Sequence, residues 1–405
     1  MTTMRPIRET IPMDEAKALL MESASPLERV ERISVRDAAD RVLAAPAISS
    51  IDVPPFDRAA MDGYAVVAED TFGTGRYDAK VLHCVAQVHT GAVASRALAH
   101  GECIEIATGA PMPEGADAVV MVEETEKSGP ADVRVFTPVY PWQHVGRRGT
   151  DIAAGQTVLP AGIALNPSRV GVLAAIGLVD IDVYAKPRVA ILSTGNEIVE
   201  PGQPLQPGQI YDINRFTLAS IIHAHGGVAM NGATVPDNLP DLLKAIESAA
   251  AADIVIFSGG SSVGERDLIM DALQQAGDVI FHGIAVKPGK PTILGKVAGK
   301  PVLGMPGNPT SCLSNAYLLV VPLLRRMARL PEYVPHTVRV PLARRVVSTT
   351  GRHQFYTVRI AGGSAEPAFK GSGDITSMAH ADGYIEIPAQ TDIVEAGEVV
   401  EVKLF

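Results

Sequence analysis

The stretch IVIFSGGSSVGERD, residues 254–267, decides how the rest of this chain is read. Its first four residues, Ile254, Val255, Ile256 and Phe257, have the continuous apolar character of a buried strand. The chain then breaks into a loop of small residues that runs from Ser258 through Gly259, Gly260, Ser262 and Gly264. After Asp267, apolar Leu268, Ile269, Ala272, Leu273 and Ala276 recur at helical spacing until Gly277. Strand, small-residue loop, acid and helix in this order let backbone N–H groups and hydroxyls close around an anion. A carboxylate beside an anion is favourable mainly when a cation lies between the two. An ordinary strand-to-helix turn can carry the same glycines, so the flanking chain has to decide.

On both sides the pattern alternates between strands and helices. Residues 188–192 read as a strand that ends in Ser193, Thr194, Gly195, Asn196 and Glu197. Asn214 can cap a helix carrying Leu218, Ile221 and Ile222, and residues 228–235 form the next strand. Asn238 and Pro240 open the helix that feeds Ile254. Downstream, a strand over 278–286 runs into Lys287, Pro288, Gly289 and Lys290, and a hairpin over 292–300 returns to a strand at 301–303. That strand ends in Met305, Pro306, Gly307, Asn308 and Pro309, and a helix from Thr310 towards Leu330 is expected to kink at Pro322. This spacing predicts a three-layer α/β domain with a parallel sheet.

The flanks differ. Apolar stripes at Met13, Ala16, Leu19 and Leu20, and again over residues 35–43, predict short helices. Residues 79–88, 103–107, 118–123 and 132–139 predict a small β domain, and a helix is expected over 167–176 with Pro167 near its start. Past Pro331 the pattern returns to β at 337–340, 355–360, 384–387 and 398–405. The expected fold is multidomain α+β and α/β, with a C-terminal β-barrel-like domain. Its expected parts are 1–55 with 145–185 as a discontinuous elongated linker and dimerisation domain, 56–144 as the inserted small β domain, 186–330 as the α/β domain and 331–405 as the barrel.

Composition narrows the function. With 405 residues and a formal charge of −10, no broad basic surface for nucleic acid is implied, although a local basic pocket remains open. Cys84, Cys103 and Cys312 show no metal spacing, which suits a reducing, cytoplasmic setting. No signal peptide and no membrane-spanning run are expected. No serine sits in a nucleophile elbow, so acyl chemistry is not indicated.

In open parallel sheets, ligands bind beyond the carboxyl ends of the strands. Loops 193–197, 258–267 and 305–310 then share one edge, joined by Lys287 and Lys290. Glycines for close backbone approach, two lysines, carboxylates at Glu197 and Asp267, and Thr310 at a helix N-terminus read as a phosphate or oxyanion pocket. Hard oxygen ligands around phosphate favour Mg²⁺. Capping roles for the acids and solvated turns for the lysines are the plainer alternatives.

A resemblance sharpens this reading. MDGYAV at 61–66, ATGAPMPEGADAVV at 107–120, GRRGTDI at 146–152, STGNEI at 193–198 and GQIYDINR ending at Arg215 occur in one order. SGGSSVGERD, VKPGKP, MPGNPTS and GSGDITSMAHADGYIEIP continue it to residue 388. Together they resemble the molybdopterin molybdenumtransferases of molybdenum-cofactor synthesis. The resemblance implies a four-domain homodimer that takes adenylylated molybdopterin and molybdate, inserts the metal and releases AMP with magnesium. Carried over by position, it implies catalytic roles for Asp62, Asp151, Glu197, Asp237, Asp267, Lys287 and Lys290, the acids Glu197, Asp237 and Asp267 serving the metal. It implies substrate contacts at Thr108, Pro306, Pro309 and Ser372, beside the edge residues Ser193, Thr194, Gly195, Ser258, Gly259, Gly260, Ser262, Gly264, Gly307, Asn308 and Thr310. Thr357 stands where many members carry an arginine before a Val-Arg pair, which leaves Arg359 or Arg352 to substitute. A molybdopterin adenylyltransferase and molybdoenzyme chaperones are the implied protein partners. The competing readings are that adenylyltransferase activity itself, and a receptor-anchoring scaffold of the gephyrin kind.

Overall fold

The computed structural model describes residues 9–232, 234–259 and 268–405. Gly260, Ser262, Gly264 and Asp267 therefore lie outside the described residues. The chain divides into two compact units. One comprises the chain up to Glu31, Asp40–Val42 and Asp182–Phe405; the other comprises Arg32–Ala39 and Leu43–Ile181.

The larger unit is built on a six-stranded sheet. Its order is Val228–Asn231, Arg188–Ser193, Ile254–Ser258, Lys300–Met305, Ile293–Val297, Asp278–His282. The first four are parallel, and Ile293–Val297 is antiparallel to both of its neighbours. The expected all-parallel sheet is thus mixed. The hairpin of Ile293–Val297 with Lys300–Met305 reverses one strand, and Asp278–His282 points the same way as the parallel set. Its carboxyl end consequently stays on the shared edge.

Alternation along the strands shows why three layers form. Val189, Ile191, Ile254, Ile256, Leu303 and Met305 pack on one face, against Leu218, Ile222, Leu319 and Leu324. Ala190, Leu192, Val255, Phe257 and Val302 pack on the other, against Leu242, Ile246, Ile269 and Leu273. A strand that is apolar at every position can be satisfied only by helices on both sides. Each fully buried Leu or Ile contributes roughly 1.5–3 kcal/mol. The helix Met13–Glu22 joins the first face through Met13, Ala16 and Leu20.

Three local expectations are corrected. The helix expected to kink at Pro322 is instead Pro309–Asn315, a π turn over Ala316–Val320, then Val321–Met327. Because Pro322 carries no N–H, the chain is rewound just before it, and Pro322 opens a fresh segment. Residues 35–43 hold a 3-10 turn, Val35–Asp37, and the bridge residues Val42 and Leu43 in place of a helix. Its apolar residues Val35, Ala38, Val42 and Leu43 are buried without a helix. The strand expected over 278–286 ends at His282, and Val286–Lys287 pairs instead with the C-terminal sheet, in parallel with His353–Ala361.

That C-terminal sheet runs Val286–Lys287, His353–Ala361, Gly383–Ile387, Val399–Leu404, Thr337–Pro341. Ser364–Pro367 extends it from His353–Ala361, and Leu342 bridges to Ala365, so the sheet curls back on itself in a barrel-like way. Phe355 and Tyr384 stack at 3.9 Å between ring centroids at its base.

The smaller unit carries its own six-stranded sheet, in the order Ala118–Met121, Gly63–Val66, Glu102–Ile106, Lys80–Val88, Asp132–Val135, Thr125–Lys127. Tyr64 and Val66 face one cluster, and Ala65 with Ile104 and Ile106 face another. Gly63 is fixed by packing: at φ +159° an added Cβ would lie 1.9 Å from the Val120 carbonyl oxygen.

Candidate active site

The strand ends of the larger unit open into a cleft of about 1270 Å³. Its floor comes from Ser193, Thr194, Ser258 and Gly259, and one side from Pro306, Gly307, Asn308 and Pro309. Two glycines allow this floor to close. Gly259 has φ +98°, and a Cβ there would meet the Thr194 carbonyl oxygen at 2.4 Å. Gly195 has φ +142°, and a Cβ would meet the Glu197 carboxylate at 2.7 Å. Glu197 thus folds back over Gly195 and lines the cleft.

Hydrogen bonds hold the rim. The segment after Glu197 is tied back by Ile210 N–H to the Glu197 carbonyl and by Asp212 N–H to the Val199 carbonyl, each at 2.9 Å. Buried Arg215 braces it further, pairing with Asp212 at 3.0 Å and donating to Glu200 and Thr234 at 2.8 Å each. The result presents Leu205, Ile210, Tyr211 and Ile213 to the cleft as an exposed apolar wall, joined by Phe369. The same lining carries Lys287, Lys290, Arg352 and Lys370. A protein of net charge −10 therefore concentrates four cations around one opening.

Buried polar atoms on the floor lack partners. Ser193 Oγ, Thr194 Oγ1 and Asn214 Oδ1 make no hydrogen bond among the described residues, although the three side chains are 2, 2 and 7 % exposed. Asn214 is oriented by its Nδ2, which donates to the Gly307 carbonyl at 2.8 Å. An unpartnered buried polar atom is costly, and such groups mark places for a ligand or an ordered water. Asn214 was expected as a helix cap; the helix begins at Asn214 itself, with Ile213 as the cap residue, and its side chain serves the cleft instead.

Of the residues singled out in the sequence, the cleft gathers Ser193, Thr194, Glu197, Ser258, Gly259, Lys287, Lys290, Pro306, Gly307, Asn308, Pro309 and Ser372. Asn308 Nδ2 donates to Ser372 Oγ at 2.9 Å, so the two loops meet. Thr310 is corrected. It is fully buried, its N–H donates to the Ser372 carbonyl at 3.1 Å and its Oγ1 to the Asp374 carbonyl at 3.0 Å, so it anchors the C-terminal loop. Its neighbour Ser311 lines the cleft. Arg359 is exposed and paired with Glu366 at 2.5 Å, away from the lining, whereas Arg352 is on it. Thr357 is fully buried in the C-terminal sheet.

Asp237 is exposed, two residues beyond Val235, which pairs with Thr194. It does not line the cleft. In the smaller unit, Asp62 accepts the Thr108 N–H at 2.7 Å. That backbone bond, helped by the Thr108 side chain, holds the Asp62 carboxyl below the usual range. Asp151 is exposed, with its N–H donating to the Val53 carbonyl at 3.0 Å. The described residues contain no cluster of three metal-ligating side chains, Asp267 lying outside them.

Residues that sequence reasoning passed over are Lys370, Phe369 and the apolar wall. Their signal was present: FKG directly precedes Ser372, and GQIYDINR interleaves Ile210, Tyr211 and Ile213 with its polar residues. Apolar residues inside a loop motif point to a ligand face more than to a core.

Comparison with known proteins covers nearly the whole chain. Residues 11–177 match the MoeA N-terminal region (domain I and II), residues 190–326 a probable molybdopterin binding domain, and residues 339–405 the MoeA C-terminal region (domain IV). A molybdopterin molybdenumtransferase of Haemophilus influenzae is 33 % identical over 97 % of this chain and 98 % of its own. Molybdopterin molybdenumtransferase 2 of Mycobacterium tuberculosis is 35 % identical over 91 % and 94 %. A solved structure of the molybdopterin biosynthesis MoeA protein from Pyrococcus horikoshii superimposes with a TM-score of 0.83 at 31 % identity, over 98 % of this chain and 100 % of that one.

Proposed function

The chain belongs to the molybdopterin molybdenumtransferase family, and on that premise we propose that it inserts molybdate into adenylylated molybdopterin and releases AMP. The observation that carries this is the mixed lining of the cleft. Its apolar part, Leu205, Ile210, Tyr211, Ile213 and Phe369, suits a planar heterocycle. Its cationic part, Lys287, Lys290, Arg352 and Lys370, suits phosphates and a tetrahedral oxyanion. The unpartnered Ser193, Thr194 and Asn214 atoms add buried polar contacts.

Cleaving the phosphoanhydride breaks the P–O bond between AMP and the pterin phosphate and adds water across it. Negative charge grows on the bridging oxygen as this bond breaks. In this reading Lys287 and Lys290, both on the cleft lining, neutralise it. Magnesium fits the donor set: Glu197 offers hard oxygen at the cleft, and Mg²⁺ commonly needs only one or two carboxylates beside substrate phosphates. Asp267 is the further acid we assign to it, and Asp237, which does not line the cleft, is left out. When bound, the ion would draw charge from the phosphate oxygens.

Two features weigh against the alternatives. A relative covered over 98 % of its own length accounts for the flanking domains that a single-domain adenylyltransferase would lack. The cations at the cleft carry no compensating function in a pure scaffold. No helix among the described residues is long and apolar enough to cross a membrane. The test is AMP release from adenylylated molybdopterin, followed with and without molybdate. Release that needs molybdate and magnesium supports the proposal; absence of release, or ATP-dependent adenylylation of molybdopterin instead, refutes it.

A further inference from the structure

We infer that Cys84 and Cys103 form a dithiol that hydroperoxides convert to a disulfide, giving the smaller unit a reversible oxidation site. The pair follows from register. Lys80–Val88 and Glu102–Ile106 run parallel at the centre of the smaller unit's sheet, and Cys84 is the direct partner of Cys103. Residues paired across neighbouring strands point to one face, with backbones about 4.8 Å apart. Both side chains accordingly meet in one apolar cluster with Tyr64, Leu82 and Val133. A disulfide needs Cα atoms about 4.4–6.8 Å apart and Cβ vectors that do not diverge, so the backbone already suits one.

The fold also supplies the small adjustment that remains. The register shifts between Cys84 and Ala86, so the strand is irregular immediately after Cys84. An interrupted ladder can yield without breaking a continuous run of hydrogen bonds. The Cys84 thiol makes only a weak contact, donating to the Ala86 carbonyl at 3.5 Å. Cys103, by contrast, is held firm, being fully buried and paired on its other side with Val66.

The two thiols have different tasks. Burial first, and the neighbouring Cys84 thiol second, push the Cys103 thiol up, so it keeps its proton. Cys84 is only half-buried, so the reaction with an oxidant starts there. Its sulfur attacks one peroxide oxygen: an S–O bond forms, the O–O bond breaks, and the other oxygen leaves as water with the thiol's proton. The Cys103 sulfur then attacks that of Cys84. An S–S bond forms, the S–O bond breaks, and the hydroxyl leaves as water with the Cys103 proton. One electron pair has passed from the two thiols to the peroxide. A disulfide with one solvent-reachable sulfur is open to an attacking thiolate, so the oxidation reverses. Cys312, fully buried in the larger unit, is the internal control.

The test uses the whole protein, reduced, desalted and exposed to hydrogen peroxide, with thiols counted by maleimide labelling in denaturant. The count is expected to fall from three to one, and dithiothreitol to restore all three. Non-reducing peptide mapping is expected to show Cys84 joined to Cys103 within one chain. Cys84→Ser is expected to keep both of its remaining thiols, and Cys103→Ser to accumulate a sulfenic acid at Cys84 that dimedone traps. If a serine variant fails to fold, the alanine variant replaces it, and the peptide map of the parent decides by itself. Three surviving thiols, a bond between two chains, or Cys84 driven to sulfinic acid beside an intact Cys103 thiol overturns the pair. Loss of the Cys103 thiol in a folded Cys84→Ser variant overturns the order of attack.

Discussion

The cleft of the larger unit and the Asp62–Thr108 pair of the smaller unit were both expected as parts of a site, and they are built in opposite ways. In the cleft, groups converge and stay unspent: three buried polar atoms lack partners and two cations, Lys287 and Arg352, face no carboxylate among the described residues. At Asp62, the carboxylate is already engaged by the Thr108 N–H in an exposed loop. A group left unsatisfied by the fold is available to a ligand; a group satisfied by its neighbour must first give up that bond. The cleft is therefore the place where chemistry is expected to be most sensitive to substitution.

The largest effect belongs to Lys287. Lys287→Ala removes a cation from the phosphate wall and is expected to slow molybdate-dependent AMP release about 10²–10³-fold, the scale of losing one preorganised donor. Thermal unfolding of the variant should match the parent, since the side chain is only half-buried and holds one hydroxyl. A loss below about tenfold would remove the distinction between cleft and loop.

Next comes the ion-pair support of the C-terminal sheet. Glu386 accepts from Lys403 at 2.6 Å and pairs with His353 at 2.8 Å, next to Arg352. Burial alone would push its carboxyl up, but these two partners bring it down to about 2. A carboxyl whose folded pKa is depressed contributes stability that is complete above its ordinary value near 4.5 and is lost as pH falls through about 2. Glu386→Gln is expected to cost about 2–3 kcal/mol at neutral pH. It should also flatten the acid limb of the stability curve, read by denaturant unfolding across pH. An acid limb that is unchanged would show that the pair does not brace the C-terminal sheet.

Gly259 gives a smaller effect of a different kind. A Cβ at 2.4 Å from the Thr194 carbonyl, on a backbone at φ +98°, is expected to cost Gly259→Ala about 1–3 kcal/mol. Pyrophosphate affinity should fall with it, because the same approach shapes the cleft floor. Stability and affinity that both stay at the parental level would mean that the floor tolerates movement.

The legibility of these features in the sequence followed their range. Strands such as Ile254–Ser258 were readable because burial on both faces writes a continuous apolar run. The edge loops were readable because glycines at tight approaches have few substitutes. Thr310 was misjudged because its partners, Ser372 and Asp374, arrive from a loop sixty-odd residues later. No local pattern announces such a contact. Val286–Lys287 was misjudged for the same reason, its pairing strand being His353–Ala361. The choice between Arg352 and Arg359 turned on Glu366, which pairs across a hairpin.

The smallest effect is expected where the group is already spent, at Asp62. Asp62→Asn keeps an oxygen that can accept the Thr108 N–H and removes only the charge. With the carboxylate exposed, that charge is screened, so the loop should hold its shape. If Asp62 serves chiefly to tie down Thr108, AMP release in Asp62→Asn stays within about threefold of the parent, while Asp62→Ala loses more by freeing the N–H. If Asp62 instead acts on substrate through its charge, the asparagine variant falls as far as the alanine variant. Equal losses in the two would place this loop in the same class as the cleft, and the contrast between a spent and an unspent carboxylate would no longer distinguish structure from catalysis.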